Sequence, residues 1–524
     1  MQDKKWWLVF ALSLISLGAN FWGFPIYILD EAKNSACAME MMQRGDWVVP
    51  TFNGVLRTDK PPLHYFFMIS AFEMFGISSF SVRFFSVVMG MLTVALVFFS
   101  VKSMIGARAA AFASMILVSS LYFVIQFHLA VPDPYLIFFL TASWLSFIYA
   151  HQSGKANFYY LFYLGLALAF MTKGPLAIVL TLITIVGFMI IQKDFSVASI
   201  HRLRWKVGII IFLAVTLPWW LAVTVATEGA WPKGFLLTHN LERFTSTMEG
   251  HDGFPGYAIL LLFISLFPIS LYLPGAARKA WSERKTDSLS FFSLIALSSV
   301  LFFFSFSRTM LPNYVGPAVP FGAIVLGSFI DRKIDDALRT SWTVKIGAVI
   351  GLIVAVAIPL ALNDIIAKDV WLSDLSELRW MLLPITAGSA LSVYFVYNNQ
   401  WKNSILSYLI SFWVVSVLTF YWAAPAILSK NPVTESLPLI HRSTREVVGY
   451  GNFNPAYVFS LQRPIPTFTS IDELRGYVKD KPVTLISRSE YKTQLMAAGF
   501  RPIFEKPYLF EYPVVLVMTY SPEK

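Results

Sequence analysis

Apolar stretches about as long as a bilayer is thick recur along this chain, and they leave it few choices of fold. The first runs from Trp6 to Ile28 behind Lys4 and Lys5; twelve more lie near 81–101, 109–127, 133–150, 158–172, 174–191, 207–226, 255–276, 288–306, 312–330, 343–362, 380–397 and 404–424. A helix crosses the hydrocarbon core with about 20 apolar residues. The expectation is therefore a polytopic α-helical membrane protein with about 13 transmembrane helices. Composition agrees: 56% of the 524 residues are hydrophobic and only 14% charged, against roughly 25% charged in a soluble domain. Mean hydropathy is +0.61.

The segment His64 to Gly76 is too short to span comfortably and reads as an interfacial or re-entrant helix. A cleaved signal peptide is the rival reading of the first stretch, because Ala36-Cys37-Ala38 has the form of a cleavage site. The apolar run, however, exceeds the usual core of about 7 to 15 residues, and a charged cluster separates it from that site. An uncleaved first span is the reading adopted.

The net charge of +10 raises nucleic acid as a partner, but the basic residues are scattered between apolar stretches, which is how topology signals look. With the N-terminus cytoplasmic, the inner connections hold Lys102 and Arg108; Lys155; Lys193, Arg202, Arg204 and Lys206; Arg278, Lys279, Arg284 and Lys285; Arg332, Lys333, Arg339 and Lys345; and Lys402. Each carries positive charge on the inside, as the rule requires. An odd number of spans then puts the tail outside. That tail, 425–524, has regular charges and short apolar runs, with strand-like stretches at Ala456–Leu461, Pro482–Ser487 and Val514–Tyr520. Ser470 with Glu473, and Ser487 with Glu490, have capping-box spacing. The division expected is a membrane domain over 1–424 and a small extracytoplasmic α/β domain over 425–524.

On this topology the distinctive polar residues collect on one side: Asp30, Glu31, Asp59, Lys60, Asp133, Lys173, His239, Arg243, His251, Arg308 and Tyr314. Charges bordering a membrane are expensive unless used. Asp30 and Glu31 are neighbours, so on a helix they diverge by about 100°; Asp30 is either a base or acceptor-orienting carboxylate, or the N-cap of a helix beginning near Ala32. Lys60 precedes Pro61-Pro62, where the chain is stiff, which suits a lysine fixed against a phosphate as well as a solvated loop lysine. Asp133 sits between two prolines, as a site residue or a helix cap. Lys173 faces outward against the charge trend, as a ligand group or a snorkelling lysine. His239 and Arg243 are four apart and share a helix face, which fits an anionic ligand or an ordinary surface turn. Arg308 and Tyr314 flank one span boundary; an aromatic anchor is the alternative for Tyr314.

Cys37 is the single cysteine, so an internal disulfide and a cysteine-based zinc cluster are both excluded. Asp59, His239 and His251 are the candidates for a divalent metal such as Zn or Mg, with no HExxH-type spacing behind them; no cofactor is required by the reading. No Walker A loop, GxGxxG after a strand, or GxSxG is present. The energy of any reaction must arrive with the substrate.

The runs Asp30-Glu31-Ala32-Lys33, Gly45-Asp46-Trp47-Val48-Val49-Pro50 and Asp59-Lys60-Pro61-Pro62 resemble the first periplasmic loop of bacterial GT-C glycosyltransferases of the lipid A aminoarabinose transferase and protein O-mannosyltransferase type. The resemblance continues through Val131-Pro132-Asp133-Pro134, Met171-Thr172-Lys173-Gly174-Pro175, His239-Asn240-Leu241-Glu242-Arg243-Phe244 and Leu311-Pro312-Asn313-Tyr314. It implies a GT-C fold and inverting transfer of a sugar from a polyprenyl (undecaprenyl) phosphate to a lipid A, other glycan or protein acceptor, at the periplasmic face of the bacterial inner membrane. It also implies that Asp30 is the catalytic carboxylate and that Lys60, Arg243, Tyr314 and Lys33 hold the donor phosphate. There are departures: Asp30-Glu31-Ala32-Lys33 stands where aminoarabinose transferases show Asp-Glu-Thr-Arg, Asp59-Lys60-Pro61 where they show Glu-Lys-Pro, and His239-Asn240 where they show Glu-His. A lipid or sugar transporter and a scaffold are the rivals from other classes; a transporter's broken helices meet at the midplane, whereas here the polar residues gather at one face.

Overall fold

The computed structural model describes residues 6–237, 256–307, 311–335, 342–368, 372–443, 445–479, 481–509 and 513–522. The first half runs through α1 (Trp6–Leu17), α2 (Leu29–Arg44), the strands β1 (Thr51–Phe52) and β2 (Val55–Leu56), α3 (Leu63–Phe75), α4 (Ser79–Met104), α5 (Ala107–Ser119), α6 (Leu121–Phe127), α7 (Asp133–Ser153), α8 (Asn157–Lys173), α9 (Pro175–Ile191), α10 (Val197–Arg202) and α11 (Trp205–Ala226). Among the described residues, eight helices are long and apolar enough to cross a membrane, or up to ten if each of two bent pairs counts as one span. The bent pairs are α5 with α6, at 70°, and Tyr257–Ser265 with Ile269–Ser282, at 117°. The other three expected spans contain α1, of 12 residues, and α8 and α9, of 17 each.

Lipid as solvent sorts the helices. Only 17% of the apolar window in Trp205–Ala226 is buried, against 83% in Pro312–Ile334. The latter therefore runs through the middle of the bundle, while α11 lies at its rim and leaves Ile210, Leu217, Leu221 and Val225 exposed.

The first stretch departs from the expected 6–28 helix: α1 stops at Leu17, and residues 18–28 follow as turns before α2. Non-helical backbone at such depth survives only if its polar groups are satisfied. Arg83 of α4, wholly buried, does this by donating to the carbonyls of Phe21 and Phe24, both at 2.9 Å, and of Pro25 at 3.3 Å.

The C-terminal part forms a five-stranded mixed sheet of order β4-β3-β5-β7-β6, from β3 (Glu446–Tyr450), β4 (Thr467–Phe468), β5 (Val483–Arg488), β6 (Arg501–Pro507) and β7 (Val514–Tyr520). β3 is parallel to β4 and β5, and β7 is antiparallel to β5 and β6. Val448, Leu485, Leu516 and Met518 fill one face against Leu474 and Leu495 from the two covering helices. The strand-like run Ala456–Leu461 is instead a helix. Its four consecutive buried residues, Ala456 to Phe459, lack the alternation of a half-buried strand, and the Asn454 side chain accepts from the Ala456 amide to start the turn. Neither capping box forms: Ser470 makes no side-chain cap bond, and the Ser487 hydroxyl donates to the Tyr450 carbonyl.

Candidate active site

The site begins at the first turn of α2. Ile28 is the residue before the helix and Asp30 lies inside it, so Asp30 is not an N-cap. The helical rotation separates the two carboxylates as expected. Glu31 is wholly buried and accepts from Arg83 Nε and Nη2, both at 2.7 Å, and from the Ala130 amide at 2.9 Å. Asp30 is exposed and lines a cavity. Ala130 lies three residues before Asp133, so Glu31 ties the starts of α2 and α7 together.

The loop after α2 is folded by its own polar groups. Asp46 accepts from the amides of Val48 and Val49, and Glu40 accepts from the Thr51 hydroxyl and from the amides of Asn53 and Gly54. Asn53-Gly54, both with positive φ, close β1 and β2 into a tight hairpin. Beyond it, Arg57 is buried and pairs with Asp59 at 3.0 Å, while donating to Tyr65 and Asn34. The Trp231 indole donates to the Arg57 carbonyl at 2.9 Å. Asp59 and Lys60 thus leave an anchored residue and enter the rigid Pro61-Pro62 step, both facing the cavity. Burial is the first cause that holds the His64 imidazole well below its usual range, and Arg57, Lys60 and Lys173 act the same way.

The far wall comes from the ends of α7, α8 and the segment 311–318. Lys173 Nζ reaches Asp133 Oδ1 at 2.7 Å, Asn313 Nδ2 donates to Asp133 Oδ2 at 3.0 Å, and Lys173 lies 5.6 Å from the centre of the Tyr314 ring. Asp133 is nearly buried, which requires such partners. Gly174 turns the chain sharply with φ +67°, and a Cβ there would run into the Phe235 ring. Phe235 stacks on Trp231, which packs edge-on to Trp219.

The resulting cavity of about 370 Å³ has two characters. Asp30, Asp59, Lys60, Asp133, Lys173 and Asn313 form its polar part, and Leu176, Val179, Phe235, Leu236, Phe303 and Phe304 its apolar part, with Tyr314 between. Its polar part holds three carboxylates and two lysines, so the shape suits an amphiphile with a polar end.

Asp30, Asp59, Lys60, Asp133, Lys173 and Tyr314 are therefore brought together. Glu31 is not: its carboxylate is committed to Arg83 and the Ala130 amide, away from the cavity. Lys33, half-buried on α2, is not among the lining residues either. Arg243, His239, His251 and Arg308 lie outside the described residues. Among the described residues no group of three or more His, Cys, Asp or Glu could hold a metal. Asn313 was not singled out by sequence reasoning, although it stands in the Leu311-Pro312-Asn313-Tyr314 run; the apolar wall carried no signal, since its residues read like any lipid-facing ones.

Fold and site define a multi-pass membrane protein of GT-C architecture. The structure aligns with the crystal structure of ArnT from Cupriavidus metallidurans bound to undecaprenyl phosphate at a TM-score of 0.81 and 19% identity, covering 99% of this chain and 100% of that one. A family model described as dolichyl-phosphate-mannose-protein mannosyltransferase matches residues 59–221. Undecaprenyl phosphate-α-4-amino-4-deoxy-L-arabinose arabinosyl transferase of Yersinia pestis (strain Pestoides F) is 30% identical over 373 residues, 67% of this chain and 66% of that relative. Its counterpart in Serratia proteamaculans (strain 568) is 30% identical over 348 residues, 65% of this chain and 62% of the relative. The aligned part thus spans slightly under two thirds of these relatives' length. The chain thus shares the fold of that crystal structure and is similar in sequence to aminoarabinose transferases and, over residues 59–221, to the protein mannosyltransferase model.

Proposed function

We propose that this protein transfers a sugar from a polyprenyl phosphate, in the first instance undecaprenyl phosphate, to lipid A or another envelope lipid or glycan, with inversion at the anomeric carbon. The observation that carries the reading is the two-part cavity, whose apolar wall suits an isoprenoid tail and whose lysines suit the phosphate. Asp30 orients the acceptor hydroxyl and takes its proton as the acceptor oxygen bonds to the anomeric carbon. The bond from that carbon to the phosphate oxygen breaks, and the polyprenyl phosphate leaves with the electron pair. Lys60, Tyr314 and Arg243 stabilise the charge that grows on the phosphate, and Lys173, held by Asp133, faces the same end. Lys33 serves at most from outside the cavity lining. The leaving group needs no acid, so the step as written calls for no metal; the Asp59 carboxylate pairs with Arg57 at 3.0 Å.

The site opens to the periplasm, with the N-terminus cytoplasmic, residues 1–424 as the catalytic unit in the inner membrane, and 425–524 as a periplasmic α/β domain. A second reading, transfer to protein Ser or Thr, draws support from the mannosyltransferase description of the model matched at 59–221.

Mass spectrometry of polyprenyl-linked sugars, envelope glycans and glycopeptides in cells with the intact gene, without it, and with Asp30→Asn decides. Accumulation of one polyprenyl-linked sugar in both defective strains, with loss of the same sugar from one acceptor, is expected. Unchanged pools in both strains would overturn the proposal.

A further inference from the structure

Helices α7, α8 and α9 present Asp133, Lys173 and Pro175 to the catalytic cavity at one end of each, and their opposite ends enclose a second cavity. Its volume is about 380 Å³, and His151, Tyr159, Asp194, His201, Arg202 and Arg204 are among its lining. With α7 of 21 residues at 1.5 Å each, the two cavities stand about 30 Å apart, across the bundle.

The charges in this cavity are uneven. The Asp194 carboxylate is engaged by the Ser199 hydroxyl and faces His151 at 3.8 Å. Arg202 and Arg204 are exposed, and among the described residues neither meets a carboxylate at ion-pair distance. The segment around them is amphipathic: Phe195, Val197, Ile200 and Trp205 are exposed, Val197 at 74%. Exposed rings and aliphatic groups interleaved with arginines are the make-up of a helix lying in the headgroup region, and guanidinium groups there recognise anionic lipid.

We propose that this cavity takes the phosphate headgroup of an anionic membrane lipid, with Arg202 and Arg204 on the phosphate and Phe195, Val197, Ile200 and Trp205 against its acyl chains. The site is separate from the catalytic one and belongs to the opposite leaflet. Its occupant fastens the α9–α10–α11 connection to the bilayer surface.

The test is native mass spectrometry of the purified full-length protein titrated with phosphatidylglycerol, phosphatidylcholine or inorganic phosphate. Phosphatidylglycerol should be retained over phosphatidylcholine. The exposed pair Arg202→Gln/Arg204→Gln should weaken that retention by about tenfold or more, while Lys345→Gln/Lys402→Gln, which removes the same charge elsewhere, should not. Equal retention of both lipids by the intact protein would overturn the proposal without reliance on any variant. So would an unchanged Arg202/Arg204 variant, or full displacement of phosphatidylglycerol by millimolar inorganic phosphate, which would make the cavity a site for a free anion.

Discussion

Arg83 closes on Glu31 through two hydrogen bonds of 2.7 Å, and the next residue back, Asp30, opens on the cavity. One helical step thus converts a pair of identical charges into one group tied to Arg83 and one open to the cavity. Removing one partner of a buried ion pair costs about 3–5 kcal/mol. Glu31→Gln and Arg83→Met should each lower thermal stability in detergent accordingly. The combination Glu31→Leu/Arg83→Met should remain destabilised, because the carbonyls of Phe21, Phe24 and Pro25 lose their donor at about 1–3 kcal/mol each. Full recovery in the double variant would mean that the ion pair, not the carbonyls, is what Arg83 is for.

Under the proposed function, Asp30 bears on rate rather than stability. Asp30→Asn should fold with an unchanged melting temperature and lose about 10² to 10⁴ in turnover, the usual contribution of a positioned base. In vitro transfer from a polyprenyl-phosphate sugar measures it. A variant retaining most of the intact rate would remove Asp30 from the chemistry.

Asp133 and Lys173 are a partly buried pair with Asn313 as third member. Lys173→Met strands the Asp133 carboxylate, and Asp133→Asn leaves Lys173 without its counter-charge. Each should cost both stability and donor affinity, and Asn313→Ala should cost less, since the carboxylate keeps its lysine. Donor titrations of the three variants give the order; equal effects would show that the triad does not act through Lys173.

His64 predicts a sign for acid sensitivity. Burial together with Arg57, Lys60 and Lys173 depresses its folded-state pKa well below 6.5, so below that value the unfolded chain binds a proton that the folded one refuses. His64 contributes no pH dependence above about 6.5, and stability falls by up to about 1.4 kcal/mol per unit as pH drops beneath it. His64→Gln should flatten that slope in thermal melts between pH 6.5 and 5.

Cys37 lies wholly inside the protein on α2. Burial pushes its thiol up to about 12, so the nucleophilic thiolate is scarce. Maleimide should leave the folded protein unmodified and label it stoichiometrically in denaturant; rapid labelling of the folded form would show that α2 opens.

Hydropathy placed a helix in each of the thirteen expected spans, because a bilayer imposes length and composition together. It could not place the breaks. Residues 18–28 read as the end of an apolar run, and the arrival of Arg83 and His128 from later in the chain, on the carbonyls of Phe21, Phe24, Pro25 and Ala19, lets that backbone leave the helix. The polar members of the site were legible as charges in the wrong solvent: Asp30, Lys60, Asp133 and Lys173. Whether a carboxylate faces inward or outward was not, since Asp30 and Glu31 differ by one rotation that depends on where Arg83 lies. Phe235, Leu236 and Phe303 were invisible, because lining a cavity and facing lipid ask for the same side chains. In the tail, Ala456–Leu461 shows the limit of a short apolar run, which helix and buried strand share.

Asn53, at the tip of the hairpin ahead of Lys60, donates to the Ile465 carbonyl and the Thr467 hydroxyl and accepts from the Ile465 amide, across 412 and 414 positions of sequence. Tyr27, just before α2, makes a comparable pair of bonds with the backbone of Leu509. The hairpin ahead of Lys60 and the entry to α2 are thus both held by backbone far along the chain, and truncation before Ile465 would leave the two flanks of the cavity's carboxylate wall without those anchors.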